Sequence, residues 1–167
     1  MSDLKTNLNP DEPLYTSSLG TPVMGNLEIE AGSYLDENGN TIQYQGLRID
    51  AVEFTVNNTK NIIEAKVSGL DDTVKEFISG GEYTITVKGI ICSNLNGSYP
   101  AQAVQILQGI LKARAAITVN NTFFLGFGIS QMVVSGYSMN RGSSEYSQQP
   151  FSFTAKSDKP AILFITQ

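Results

Sequence analysis

Apolar and polar residues alternate along most of this chain, in short runs separated by Gly, Asn, Asp and Pro. A side-chain period of two belongs to strands with one face buried and one face wet. The clearest runs fall within residues 59–91. In the first, Asn61, Ile63, Ala65 and Val67 share a face, and Ile62, Glu64 and Lys66 share the other. In the second, Tyr83, Ile85, Val87 and Ile91 lie opposite Glu82, Thr84, Thr86 and Lys88. Their β-branched and aromatic content suits strands. Between the runs, Thr73 and Glu76 have the T-x-x-E spacing of a capping box, and Gly80 and Gly81 tolerate the positive φ that stops a turn. This stretch predicts a short helical turn over about 72–79.

Elsewhere the same reading gives a mostly antiparallel β chain. Asn38-Gly39 is a hairpin turn joining Gly32–Leu35 to Thr41–Tyr44. Leu47, Ile49 and Ala51 alternate in one phase, and Val52, Phe54 and Val56 in the other. A one-residue slip turns a core face outward, so a bulge or sharp bend is expected near Ala51–Val52. One helix is expected over about 100–114, opened by Pro100, with Ala103, Val104, Leu107, Ile110 and Leu111 at the 3, 4 spacing of a single face. Residues 116–119 are a strand. Phe123, Leu125, Phe127 and Ile129 then pair with Met132 and Val134 as two more, and Phe151, Phe153 and Ala155 begin the last. The apolar run 161–165 needs cover, from its own sheet or from another subunit. Residues 1–20, with Pro10, Pro13 and Gly20, form an extended arm outside the core, either a loose terminus or a segment that orders against a neighbouring subunit. Residues 21–167 form a single domain.

Composition narrows the function classes. The chain has 167 residues, one domain's worth, and is 41% hydrophobic. Its net charge is −5 with a pI near 4.6, and its lysines are interleaved with acids, which argues against a nucleic-acid groove. No apolar run reaches membrane-spanning length, and the opening residues lack the apolar core of a signal peptide. Cys92 follows two isoleucines and is expected to be a small buried hydrophobe.

Candidate chemistry is sparse. The chain has no histidine, which removes the commonest general base and the commonest metal ligand. Gly126-Phe127-Gly128 lacks the third glycine of a dinucleotide fingerprint. Asp71, Asp72 and Glu76 are the carboxylates placed for glycoside chemistry, and a local capping role explains them more simply. The acidic turn at Asp36–Asn40 lacks the spaced ligands of a calcium loop. The expectation is a non-enzymatic protein without cofactor or metal, working through its surfaces.

The order of runs carries a resemblance. From Gly69, the pattern G-x-D-x-T-V-K-E-F-I-x-x-G-E-Y-x-I-x-V-x-G places Gly69, Asp71, Thr73–Ile78, Gly81–Tyr83, Ile85, Val87 and Gly89. YPAQAVQILQGILKARAAITV, LGFGISQMVVSGYSMN and QPFSFTAKSD follow it. Over residues 45–158 this resembles a family of phage tail and baseplate proteins common in prophages of Bacteroidetes-type bacteria. It is similar to tube-like domains of contractile-tail initiators. The resemblance implies a tail-tube-type antiparallel β-sandwich or barrel with one packed helix. It implies a virion structural subunit, assembled in the host cytoplasm, that forms a ring at the tail tube–baseplate junction.

Its partners are then copies of itself and neighbouring tube and baseplate proteins, with DNA only passing through the lumen. No catalytic residue comes with the family. Subunit contact is expected at Thr73, Val74, Lys75, Glu76 and Phe77, and at Glu64, Lys66, Thr84, Thr86 and Lys88. The alternative is a carbohydrate- or ligand-binding β module of adhesin type, using Tyr34, Tyr44, Tyr99, Tyr137 and Tyr146.

Overall fold

The computed structural model describes residues 15–16, 22–23, 25–69, 71, 73–93, 97–141 and 146–159. The extended arm predicted for residues 1–20 and the apolar run 161–165 lie almost wholly outside them. In chain order the elements are β1 (Tyr15–Thr16), β2 (Pro22–Val23), β3 (Leu27–Ile29), β4 (Gly32–Leu35), β5 (Thr41–Tyr44), β6 (Leu47–Ile49), β7 (Val52–Asn58) and β8 (Asn61–Lys66). They continue as β9 (Thr73–Ser79), β10 (Tyr83–Cys92), α1 (Ala101–Leu111), β11 (Ile117–Asn120), α2 (Thr122–Gly126), β12 (Gln131–Met139) and β13 (Gln148–Asp158). The fold is mainly β, with antiparallel sheets and few helices.

Seven strands form one sheet in the order β6-β3-β11-β12-β13-β10-β7. β6 and β7 stand at opposite ends of that order, yet only Asp50 and Ala51 separate them. Three Cα steps span at most about 11 Å, so the sheet has to curl until its ends meet. The seam lies where the sequence changes phase. Val52 N–H donates to the Gly25 carbonyl at 3.3 Å, and Ile90 N–H donates to the Ala51 carbonyl at 3.1 Å. A side chain at Gly25 would put Cβ 2.5 Å from the Val52 oxygen, so the close approach needs glycine there. The result is a small barrel with the predicted bend as its corner.

The barrel closes over one core. Leu27, Ile29, Ile49, Ile85, Val87, Ile117, Val119, Met132, Phe153 and Ala155 enter it from the strands. Val104, Leu107, Ile110 and Leu111 enter it from α1, the face predicted for that helix. Each large side chain so buried contributes about 1.5–3 kcal/mol. The helix ends at Leu111, before the predicted 114. Arg114 instead leaves it to meet Glu37 at 2.7 Å, tying the β4–β5 turn to the helix end. That turn is as predicted, with Gly39 at φ +80° and the Asp36 carboxylate accepting the Asn38 and Asn40 amides.

Three expectations are corrected. Residues 73–79 are not a helical turn but strand β9, paired with β8 from Asn61↔Ser79 to Lys66↔Thr73. A helix this short carries the full nucleation cost, whereas the hairpin gives its backbone partners along β8. Thr73 and Glu76 therefore form no capping box, and the Thr73 hydroxyl donates to Glu64 across the ribbon.

Second, Phe123 and Leu125 lie on α2 rather than on a strand, with Phe127 just beyond it. The Asn121 side chain caps that helix by accepting from Phe124 N–H at 3.1 Å, while its amide donates to the Asn26 carbonyl. Third, Cys92 is exposed, because Ile91 takes the core-facing position at that end of β10.

A candidate assembly surface

Two strands of the large sheet have, over most of one side, no paired strand among the described residues. β12 pairs with β11 only at Met132 and Gln131, so Val133–Met139 has β13 on one side alone. β7 pairs with β10 along its whole length and stands last in the strand order, and on its other side Val52 N–H donates to the Gly25 carbonyl. Between these margins lie β13 and β10, both paired on either side. Every pairing in this part is antiparallel, so β7 and β12 run in opposite directions. Among the described residues the sheet thus has two sides without a neighbouring strand, whose directions would match as an antiparallel pair.

From the top of β7 and β10 projects a two-stranded arm, β8–β9. Asn58 pairs with Tyr83 and Asn61 with Ser79, so the arm prolongs the β7–β10 ribbon after a one-residue slip. The junction is tight. Asn58 Nδ2 donates to the Gly81 carbonyl at 2.8 Å, and a Cβ at Gly81 would lie 2.3 Å from the Thr59 oxygen. Four apolar side chains of the arm are exposed, Ile62 at 49%, Ile63 at 55%, Val67 at 43% and Val74 at 45%. A two-stranded ribbon is marginal in water without a packed face. Its polar fixture is Glu64, which accepts from Lys75 and Thr73. The hydrogen bond and charge of Lys75, then the Thr73 hydroxyl, hold the Glu64 carboxyl below its ordinary pKa.

The predicted contact residues fall into two groups. Thr73, Val74, Lys75, Glu64 and Lys66 come together on the arm, and β9 also contains Glu76 and Phe77. Thr84, Thr86 and Lys88 lie on β10, whose backbone is already paired on both sides, so only their side chains can meet a partner. There they stand in cross-strand rows: Asn57–Thr84–Lys156, Thr55–Thr86–Thr154 and Glu53–Lys88–Ser152. The two open margins themselves were not among the predicted contacts. Alternation marks a strand but does not say whether its flanks are filled, which depends on the rest of the chain.

The tyrosines of the ligand-binding alternative do not form one surface. Tyr34 and Tyr44 pack against the core. Tyr99 donates to Gln149 at 2.7 Å and carries the Arg141 guanidinium 4.8 Å over its ring. Tyr137 and Tyr146 are the exposed pair of the five, at 49% and 75%.

No curated protein matches this chain. Among solved structures it is similar to the SPP1 Dit protein (gp 19.1), described as a paradigm of the hub adsorption apparatus in phages that infect Gram-positive hosts. The identity is 9% and the TM-score 0.43, over 67% of this chain and 44% of that one. This chain therefore spans less than half the length of that protein. Residues 49–167, from the barrel seam through both open margins and the arm, match the family described as Domain of unknown function (DUF6046), and the chain belongs to that family.

Proposed function

We propose that this chain is a structural subunit of a phage tail, forming a ring at the tail tube–baseplate junction. The observation that carries the reading is that, among the described residues, β7 ends the strand order and Val133–Met139 of β12 has no strand on its far side, while the two strands run in opposite directions. When β12 of one copy lies against β7 of the next, their main chains supply the missing hydrogen bonds. The junction is heterologous, and its repetition closes a ring when the rotation between copies is a whole fraction of a turn with no rise along the axis. The exposed arm and the sequence pattern around it support the same reading. The subunit's role is mechanical, without catalysis or cofactor. Its partners are copies of itself and neighbouring tube and baseplate proteins, and DNA passes through the lumen.

In such a ring, the sheet face turned away from the core lines the bore. That face carries Thr55, Thr86, Thr154 and Ser152, with Glu53 set against Lys88 and with Lys156. It is not dominated by Lys and Arg, so a passing polyanion meets a surface that does not hold it.

Blocking one margin tests the proposal. A lysine on an edge strand opposes pairing with another chain. Val133→Lys with Tyr137→Lys should give a folded monomer by circular dichroism and light scattering, while the unmodified protein shows rings by negative-stain electron microscopy. Rings that persist in the double variant would exclude β12 as the junction.

A further inference from the structure

One row of core-facing residues crosses four strands: Phe54 on β7, Val87 on β10, Phe153 on β13 and Tyr137 on β12. It begins and ends in an aromatic ring, each on a strand side without a neighbouring strand among the described residues. Phe54 stacks with Phe123 at 6.2 Å between centroids and meets Phe124 edge-on at 4.8 Å. Tyr137 differs from the rest of its face of β12. Met132 is buried, Val134 and Met139 pack against the core, and Tyr137 is 49% exposed.

The same rows give the direction of the main chain. In an antiparallel ladder, alternate residues turn N–H and C=O to opposite sides. Val52 N–H turns away from β10, to the Gly25 carbonyl, and Phe54 shares its parity. Tyr83 N–H turns toward β13, to Ser157 Oγ, and Val87 shares that parity. Val87 therefore bonds to Phe153, and Tyr137, opposite Phe153, turns its main-chain groups away from β13. On both sides the residues whose main chains face outward carry core-facing side chains. β12 of one copy thus joins β7 of the next with hydrogen bonds made and core faces continuous.

The window for regular pairing is short. The bulge between Val134 and Gly136 closes it on one flank of Tyr137, and the Val52–Gly25 bond closes it on one flank of Phe54. We propose that Tyr137 lies directly opposite Phe54 of the next copy, packs on its aromatic cluster and so fixes the register of the junction. The inference rests on the ring reading and adds to it the facing residues. A second copy is the occupant because two sides of one chain match in direction, main-chain parity and face. Neither residues 133–139 nor residues 54–58 include Lys, Arg or Pro, which guard an edge strand against pairing.

The register places Ser138 opposite Glu53 of the next copy on the outer face, as a non-hydrogen-bonded pair with Cα atoms about 4.5 Å apart, within disulfide reach. Within one chain these positions end the row Glu53–Lys88–Ser152–Ser138, three strand spacings of about 4.8 Å apart. In a Cys92→Ser background, Ser138→Cys with Glu53→Cys should give disulfide-linked oligomers on mild oxidation. Ser138→Cys with Thr55→Cys, out of register, should give none. Tyr137→Ala should weaken assembly about tenfold or more by light scattering, with the fold intact by circular dichroism, and Tyr137→Phe should assemble normally. Rings that lack the 138–53 link, or that form equally well with Tyr137→Ala, would overturn the register and leave the ring reading standing. A protein that stays monomeric would overturn both. If the cysteine variants fail to fold, the Tyr137 comparison decides.

Discussion

Gln149 shows how single residues hold the barrel's lower rim. It is buried, accepts from the Tyr99 hydroxyl at 2.7 Å and donates to the Asn140 and Pro150 carbonyls at 2.9 and 2.8 Å. Removing one partner of a buried hydrogen bond costs about 1–3 kcal/mol. Gln149→Leu is therefore expected to lower stability by about 2 kcal/mol in urea unfolding, with Tyr99→Phe costing less because only one bond is lost. Asn121 does comparable work under α2, where it caps Phe124 N–H and binds the Asn26 carbonyl. Loss of such a cap costs about 1 kcal/mol, so Asn121→Ala should destabilise by at least that much in the same measurement.

Glu64 sets the acid response of the arm. Its folded pKa lies below the ordinary value, chiefly through the hydrogen bond from Lys75. Such a group stabilises above its unfolded pKa, and the stabilisation is lost as pH falls through the lowered folded value. Exchange protection in β8–β9 should hold at neutral pH and decline only below the ordinary glutamate range. Glu64→Gln should remove that pH dependence, as read by exchange at matched chemical rates.

At the scale of elements, the arm depends on its hinge. A Cβ at position 81 would sit 2.3 Å from a backbone oxygen, which no side-chain rotation relieves. Gly81→Ala is expected to loosen the arm while the barrel stays folded, seen as faster exchange in residues 61–66 against unchanged exchange in 85–91. Gly80→Ala has open space around its Cβ and serves as the control.

The elements also show what a sequence reveals. α1 was legible because eleven residues repeat one apolar face, and the 32–44 hairpin because Asn-Gly demands its turn. The barrel corner was legible as a change of phase at Ala51–Val52. β9 was not, because T-x-x-E fits a helix start and a strand equally, and only pairing with β8 decides between them. α2 was missed because Phe123–Ile129 is a short apolar run that fits either period, and the cap at Asn121 tips it. Of the arm, β8 was legible as a strand from its alternation. The open margins were not, since an unfilled flank is a property of topology.

At the scale of the whole molecule, the barrel resolves one problem and leaves another. Curling the sheet seats β6 beside β7 at the Ala51 corner, which protects that end. Among the described residues it leaves Val133–Met139 of β12, and the side of β7 away from β10, without a paired strand. Open margins invite pairing with other chains, and a protein that keeps two of them in complementary directions is suited to assembly. The arm adds an apolar projection above the same β7–β10 ribbon.

The most direct measurement is a cryo-electron microscopy map of the assembled protein, at a resolution that separates strands. The account predicts a closed ring in which β12 of each copy runs antiparallel to β7 of the next, making one continuous sheet around the bore. A chain that stays monomeric at high concentration, or a ring whose copies touch while both margins remain in solvent, would contradict it.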